Sequence, residues 1–149
     1  MEMTSDLHIL VIEDNIGDVR LIKEAFKESR SNPTLFFVKD GEMALEFIYK
    51  KGDYHNAMTP DVIILDLNLP KIDGRQVLKI IKEDIDLKRI PVIVFTSSSA
   101  REDVIKSYDL HANCYINKQL DFDDFVYAIR QMDKFWCSTV KLPQLGNEW

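Results

Sequence analysis

Five side chains that can do acid–base, metal-binding or nucleophilic chemistry stand at the ends of short apolar runs in this sequence. They comprise three carboxylates, one hydroxyl and one ammonium, namely Glu13, Asp14, Asp66, Thr96 and Lys118. Carboxylates held close together repel one another unless a divalent cation neutralises them, and Mg²⁺ prefers such hard oxygen ligands. With that cation in place, a carboxylate such as Asp66 can attack phosphorus and form an acyl phosphate. The residue types therefore favour phosphoryl transfer, provided that the fold brings them together.

The apolar runs that precede these side chains predict buried β-strands. Residues 62–65 read Val-Ile-Ile-Leu, which is typical of a strand covered by helices on both faces of a parallel sheet. Further runs of this kind lie at 7–12, 35–38, 92–95 and 114–117. The sequence thus predicts five strands, and four of them end at the residues named above.

Amphipathic helices are predicted between and after the strands, because apolar residues recur there at helical spacing. The clearest stripe belongs to the last helix and consists of Phe122, Phe125, Val126, Ile129 and Met132. Asp121 is expected to cap that helix. In the preceding helix, Ser99 and Glu102 have the spacing of a capping box. That helix carries the apolar residues Val104, Ile105 and Tyr108.

Five strands alternating with five helices imply parallel βαβ units, because two parallel strands need a crossover that a helix provides. The predicted fold class is therefore α/β, with a doubly wound five-stranded parallel sheet. Ligands of such sheets bind at the carboxyl ends of the strands, in the crevice where the strand order reverses. At that edge, Lys118 and Thr96 are each expected to meet one oxygen of a phosphoryl group in transfer.

Four sequence fragments, in order and at strand ends, strengthen this prediction. They read Val-Ile-Glu-Asp at 11–14, Leu-Asp-Leu-Asn-Leu-Pro at 65–70 with Asp73-Gly74 after it, Val-Phe-Thr-Ser-Ser at 94–98 and Tyr-Ile-Asn-Lys at 115–118. Together they resemble response regulator receiver domains from residue 7 to about 132. The resemblance implies a (βα)5 flavodoxin-like receiver fold with strand order 2-1-3-4-5.

The resemblance also implies roles for individual residues. Mg²⁺ would be held by Glu13, Asp14, Asp66 and the backbone carbonyl of Asn68. Asp66 would accept a phosphoryl group from a sensor histidine kinase, which Thr96 and Lys118 would contact. Thr96 and Tyr115 would form the switch that remodels the protein surface. The chemistry would be limited to Mg²⁺-dependent self-phosphorylation and autodephosphorylation, so the chain is not expected to be an enzyme.

One position departs from the family pattern. Receiver domains usually carry proline after the lysine, often through a cis peptide bond, whereas this chain reads Lys118-Gln119. A cis bond before a residue other than proline costs about 3 kcal/mol. Either a trans bond reshapes this loop or packing holds the strained form, and the reach of Lys118 depends on which occurs.

The receiver domain is predicted to span residues 1–133, and an apolar C-terminal extension at 134–149 follows without forming a separate domain. The extension contains residues too apolar for a free end, namely Phe135, Trp136, Val140, Leu142 and Pro143. They are expected either to fold back on the domain or to extend a homodimer face beside the last helix. The second alternative is similar to the arms of small stand-alone receivers that partner phytochrome-like sensor histidine kinases.

Composition restricts the partners and the compartment. The 149 residues carry a formal net charge of −6, which argues against nucleic-acid binding through clustered Lys and Arg. No stretch of about 18 apolar residues and no basic leader are present, so neither membrane insertion nor secretion is predicted. Cys114 and Cys137 lack the spacing of a redox or zinc motif. A cytoplasmic location with two free thiols is expected.

Two other functions compete with a receiver. A haloacid-dehalogenase-type phosphohydrolase also uses a strand-end aspartate and Mg²⁺, but it needs a second aspartate two residues later, where this chain has Asn68. A binding module that has lost phosphorylation would present only its surface, and the intact Asp66, Thr96 and Lys118 argue against it. We therefore predict a single-domain response regulator that is phosphorylated on Asp66 and signals through protein–protein contacts.

Overall fold

A five-stranded parallel sheet forms the centre of the computed structural model, which describes residues 7–143. The strands are β1 (His8–Ile12), β2 (Thr34–Val38), β3 (Val62–Leu65), β4 (Val92–Thr96) and β5 (Cys114–Asn117). Every pair is parallel, and the spatial order is β2-β1-β3-β4-β5. The predicted fold class and strand order are confirmed.

Five α-helices alternate with the strands: α1 (Ile16–Phe26), α2 (Gly41–Ile48), α3 (Gly74–Glu83), α4 (Arg101–Asp109) and α5 (Phe122–Lys134). A 3-10 turn lies at Gly52–Tyr54, and a π-helical turn at Phe135–Thr139 continues directly from α5. The predicted cap of α5 is confirmed, because the Asp121 side chain accepts a hydrogen bond from the Asp124 amide at 3.1 Å. Over residues 7–143, no helix combines the length and the apolarity that crossing a bilayer requires.

Each face of the sheet is covered by its own apolar layer. Along β1 the side chains alternate, so that Leu10 and Ile12 enter the layer beneath α2 and α3, while Ile9 and Val11 enter the layer beneath α1 and α5. All four residues of β3 are buried, because its side chains also alternate between the two apolar layers. Because helices close both faces, the strand ends are the accessible part of the sheet.

Helix α4 begins differently from the prediction. Ala100 occupies its N-cap position and no side chain caps it, so the predicted capping box of Ser99 and Glu102 is wrong. The hydroxyl that bonds to this turn belongs to Ser98, which donates to the Asp103 carboxylate at 2.5 Å. A capping pattern read from spacing alone does not distinguish two adjacent serines, because both are within reach of the same helical turn.

Several apolar side chains on α4 and α5 remain uncovered. In α4 only Ser107 is buried, while Ile105 and Tyr108 are 46% and 49% exposed. In α5 the predicted stripe is buried except for its first member, Phe122, which is 58% exposed. These side chains give the α4 and α5 side of the molecule an apolar character.

The C-terminal extension folds back on its own domain as far as the structure describes it. Leu142 is 7% exposed, and Trp136 and Val140 pack against the apolar layer beneath α1 and α5. The Ser31 hydroxyl donates to the Cys137 carbonyl at 3.2 Å. Phe135 stays 50% exposed, so the fold-back covers the extension incompletely. Residues 144–149 of the predicted extension lie outside the described residues, and the predicted domain boundary at 133 falls in the last turn of α5.

Candidate functional site

Strand register brings the chemically capable residues to one edge of the sheet. The last residues of β1 and β3 are aligned, Ile12 with Leu65, and so are the last residues of β4 and β5, Thr96 with Asn117. The residue that follows each of β1, β3 and β5 therefore emerges at the same edge. These residues are Glu13, Asp66 and Lys118.

Glu13, Asp14 and Asp66 form the acidic cluster. One carboxylate oxygen from each lies within 4.8 Å of the others. Glu13 and Asp66 are 3% and 7% exposed, whereas Asp14 is exposed. The Oε2 atom of Glu13 is buried and has no hydrogen-bond partner within the described residues. A buried oxygen without a partner, beside two further carboxylates, is the kind of donor set that a hard divalent cation satisfies, so the residues present fit such a cation.

Asn68 meets Asp66 through its backbone. Its amide donates to Asp66 Oδ1 at 3.2 Å, and its side chain is exposed. Asn68 also lines an open cleft of about 350 Å³ together with Asp14, Asp66 and Lys118. The role of its carbonyl as a metal ligand stays a prediction.

Lys118 is the cation at the centre of the site. Its side chain is 8% exposed and its Nζ atom pairs with Glu13, with Asp66 Oδ2 at 3.2 Å and with Asp18 Oδ2 at 2.9 Å. Burial alone would lower the pKa of Lys118, but the surrounding carboxylates outweigh burial and raise that pKa well above its usual value. The ammonium therefore stays charged.

The loop after β5 resolves the question raised by the missing proline. No cis peptide bond occurs in residues 7–143, so the Lys118–Gln119 bond is trans. The alternative of a trans bond is the one observed. Lys118 nevertheless reaches the acidic cluster. Its ammonium donates hydrogen bonds to Asp66 and to Asp18, which lies in the first turn of α1.

The two buried carboxyls of the cluster differ in their ionisation. Burial, and after it the neighbouring Asp66, raises the pKa of Glu13 to about 8 although Lys118 opposes the change. Burial also works against ionisation of Asp66, but Glu13, Lys118 and the Thr96 hydroxyl outweigh burial and lower the pKa of Asp66 below its usual value. The pKa values of the two carboxyls are thus shifted in opposite directions, and the contacts around Asp66 favour its ionised form.

Thr96 and Tyr115 reach the site in different ways. Thr96 is fully buried, and its hydroxyl donates to Asp66 Oδ1 at 2.8 Å. The Tyr115 hydroxyl donates to the Ser98 carbonyl at 2.7 Å. Thr96 thus touches Asp66 directly, whereas Tyr115 contacts the loop that follows Thr96.

Comparison with known proteins agrees with this geometry. Residues 9–130, which are most of the chain, match the family described as "Response regulator receiver domain". The chain belongs to the response regulator receiver family. The resemblance predicted from the four sequence fragments is confirmed.

Individual members of the family are similar over nearly the whole receiver. Response regulator Rcp1 of Synechocystis sp. is 46% identical over 135 residues, which are 91% of this chain and 92% of that protein. The crystal structure of the Mn²⁺-bound form of Rcp1 has a TM-score of 0.90 at 45% identity and covers 92% of this chain and 99% of its own. The phosphorylated cyanobacterial phytochrome response regulator RcpA has a TM-score of 0.90 at 45% identity, with coverages of 93% and 99%.

The carboxyl edge of the sheet therefore brings the predicted catalytic and metal-binding residues together. It also adds one residue that the sequence did not indicate. Asp18 pairs with Lys118 and was not predicted as part of the site. Its only signal is its position three residues after Asn15, whose side chain caps α1 by accepting from the Asp18 amide at 2.9 Å.

Proposed function

We propose that this receiver accepts a phosphoryl group on Asp66 from a sensor histidine kinase, with Mg²⁺ as cofactor. The proposal depends chiefly on the environment of the Asp66 carboxylate. It accepts a hydrogen bond from Thr96 at 2.8 Å, lies 3.2 Å from the Lys118 ammonium and belongs to the acidic cluster. An ionised carboxylate beside a fixed ammonium and a hydroxyl has the composition that transfer to an aspartate requires.

Each residue has a distinct task in this transfer. Mg²⁺ would be held by Glu13, Asp14, Asp66 and the Asn68 carbonyl, and when bound it would neutralise the negative charge that gathers around phosphorus. An oxygen of Asp66 attacks phosphorus, and the phosphorus–nitrogen bond of the kinase phosphohistidine breaks with its electron pair returning to the imidazole. The Lys118 ammonium and the Thr96 hydroxyl each stabilise one equatorial oxygen.

The switch follows from the same contacts. Once Asp66 carries a phosphoryl group, the dianion attracts the Thr96 hydroxyl by a charge-assisted hydrogen bond. Tyr115 then follows the loop after Thr96, because its hydroxyl bonds to the Ser98 carbonyl. The surface of α4, β5 and α5 would change in response and signal to a protein partner.

The receiver is proposed to carry out only its own phosphorylation and dephosphorylation. Asn68 stands two residues after Asp66, where a phosphohydrolase needs an acid–base carboxyl, and an amide does not exchange protons in that way. The similarity to RcpA favours a phytochrome-like sensor kinase as the partner. The phosphodonor and the receiver would meet in the cytoplasm.

We also propose a homodimer that forms through α5 and the extension. Tyr127 and Phe135 are 64% and 50% exposed on this side. Replacing both by serine is expected to convert a dimer into a monomer, as measured by sedimentation velocity. The matched control is Ile85→Ser, which alters a side chain that is 72% exposed just after α3. A wild-type protein that is already monomeric, or a double variant that stays dimeric, would refute this interface.

The phosphoacceptor is tested by incubating the protein with acetyl phosphate and Mg²⁺ and measuring its intact mass. Wild type is expected to gain the mass of one phosphoryl group, and Asp66→Asn is expected to gain none. Asp86→Asn serves as the matched control, because Asp86 is exposed and lies in the connection between α3 and β4 rather than at the carboxyl ends of the strands. A wild type that gains no mass, or an Asp66→Asn variant that still does, would contradict the proposal.

A further inference from the structure

Polar contacts that the transfer chemistry does not use hold the loop between β4 and α4. The Ser98 hydroxyl donates to Asp103 Oδ2 at 2.5 Å. Arg75 donates to Asp103 Oδ1 from Nε at 3.2 Å and from Nη2 at 2.8 Å. We call Arg75, Asp103 and Ser98 the Ser98 clasp. Arg75 lies in the first turn of α3 and Asp103 in the first turn of α4, so the clasp joins the helices that follow the strands of Asp66 and Thr96.

On the α3 side of the clasp, Arg75 is itself held in place by Asp73. Arg75 Nη1 also pairs with Asp73 Oδ2 at 3.1 Å, and the Arg75 amide donates to the same carboxylate at 2.8 Å. The side chains of Arg75 and Asp103 are 26% and 22% exposed, so solvent screens their contact only in part. Hydrogen bonds from Ser98 and then from Arg75 lower the pKa of Asp103, which keeps the pair charged at neutral pH. A planar guanidinium shared by two carboxylates fixes direction as well as distance.

The opposite side of Ser98 faces β5. Its carbonyl accepts hydrogen bonds from the Tyr115 hydroxyl at 2.7 Å and from Asn117 Nδ2 at 3.1 Å. Ser97, rather than Ser98, lines the cleft beside Asp66. The clasp therefore orients Ser98 with its hydroxyl toward α4 and its carbonyl toward Tyr115.

We propose that Arg75 and Asp103 are positioning residues that hold Ser98 in this orientation. They keep the Tyr115 hydroxyl bonded to the loop before phosphorylation, and they withhold the Ser98 hydroxyl from the acyl phosphate. The second consequence rests on the proposed function, whereas the first does not. In autodephosphorylation, water attacks phosphorus and the bond to the Asp66 oxygen breaks, which yields the carboxylate and inorganic phosphate. A released Ser98 hydroxyl would orient that water and shorten the phosphoryl lifetime.

The clasp is tested first without any phosphoryl group. The receiver is labelled with 3-fluorotyrosine, and the Tyr115 resonance among five tyrosines is assigned with Tyr115→Phe. We expect Arg75→Ala and Asp103→Ala to shift this ¹⁹F resonance, and the double variant to shift it no further because the two residues act as one unit. Arg101→Ala, an exposed change in the same turn of α4, is the matched control and should leave the resonance in place.

The phosphoryl lifetime is the second measurement. Arg75→Ala and Asp103→Ala are expected to lose the phosphoryl group about 3- to 10-fold faster than wild type. Ser98→Ala removes the hydroxyl with the smallest change in packing, so it should shift the Tyr115 resonance without shortening the lifetime. It also keeps the test available if a charged variant fails to fold.

The outcomes separate this proposal from the proposed function. Folded Arg75→Ala and Asp103→Ala variants with the wild-type Tyr115 resonance would overturn the clasp. A Ser98→Ala variant that loses its phosphoryl group as fast as Asp103→Ala would overturn the role of the hydroxyl. A wild type that accepts no phosphoryl group would instead refute the proposed function, while the ¹⁹F measurement would still decide on the clasp.

Discussion

Lys118→Ala is expected to slow phosphorylation of Asp66 by about 100-fold or more, since it removes a preorganised charge at the transferring group. It should also destabilise the protein in EDTA. Lys118 pairs with Glu13, Asp18 and Asp66, and removing one partner from a buried ion network leaves the others uncompensated. We expect the free energy of unfolding to fall by about 3 kcal/mol at pH 7.

The pH dependence of this loss has a definite sign. In wild type, the lowered pKa of Asp66 contributes stability above the unfolded-state pKa, and that contribution is lost only as the pH falls through the lower folded value. Removing Lys118 takes away one of the contacts that oppose burial, so the pKa of Asp66 rises from its wild-type value. The hydrogen bonds with Glu13 and Thr96 remain. The carboxylate of the variant therefore binds its proton at a higher pH than the wild-type carboxylate does. The deficit of Lys118→Ala relative to wild type should therefore shrink from pH 7 to pH 5.

Urea unfolding in EDTA at both pH values, and phosphorylation by acetyl phosphate with Mg²⁺, measure these effects. Lys79→Ala is the matched control, because Lys79 is exposed on α3. An unchanged phosphorylation rate in Lys118→Ala would exclude the ammonium from the transfer step. A stability deficit that grows toward pH 5 would show that the ionised form of the buried carboxylates does not depend on Lys118.

Gly74→Ala is expected to have the second largest effect. A Cβ atom at Gly74 would lie 2.3 Å from the Asp66 carbonyl oxygen and 2.6 Å from the Leu67 Cα. Both contacts are with backbone, so either α3 or the end of β3 must move. We expect a loss of about 2 kcal/mol in the free energy of unfolding. Because Asp66 itself would shift, phosphorylation should slow by about tenfold or more.

Gly17→Ala provides the matched control for this substitution. A Cβ atom at Gly17 would lie 3.2 Å from Asn15 Oδ1, so this side-chain atom needs to give way by only a few tenths of an ångström. Its free energy of unfolding should stay within about 1 kcal/mol of the wild-type value, because alanine is a good helix former. A Gly74→Ala variant that behaves like Gly17→Ala would show that the start of α3 adapts without moving Asp66.

Much of the fold was predictable because it depends on local patterns. The uninterrupted apolar run of β3 indicated burial on both faces, and the structure buries all four of its residues. The cap at Asp121 follows from helix-terminus chemistry within four residues of chain. The capping box at Ser99 failed although its spacing was correct, because the neighbouring Ser98 bonds to Asp103 instead. Local spacing identifies a helix start to within about one or two residues.

The site was predictable where strand ends define it. Parallel strands end at a common edge, so a residue that directly follows a buried strand has a known position, and this holds for Glu13, Asp66 and Lys118. Asp18 and Arg75 lie inside helices, where a charged residue usually only faces solvent. Their partners, Lys118 and Asp103, stand 100 and 28 residues away in the chain. Nothing in the local sequence relates such positions.

By itself, the sequence determined the α/β class, the edge of the sheet where the chemically capable residues gather and the position of the aspartate that we propose as phosphoacceptor, because strand periodicity and strand ends are local properties. Only the tertiary structure decided how the charges pair at that edge. The direction of Lys118 across a trans peptide bond, its contact with Asp18 and the tie from Arg75 through Asp103 to Ser98 all depend on how helices pack against the sheet. That packing depends on contacts between segments that are remote in sequence, and local patterns carry no information about such contacts.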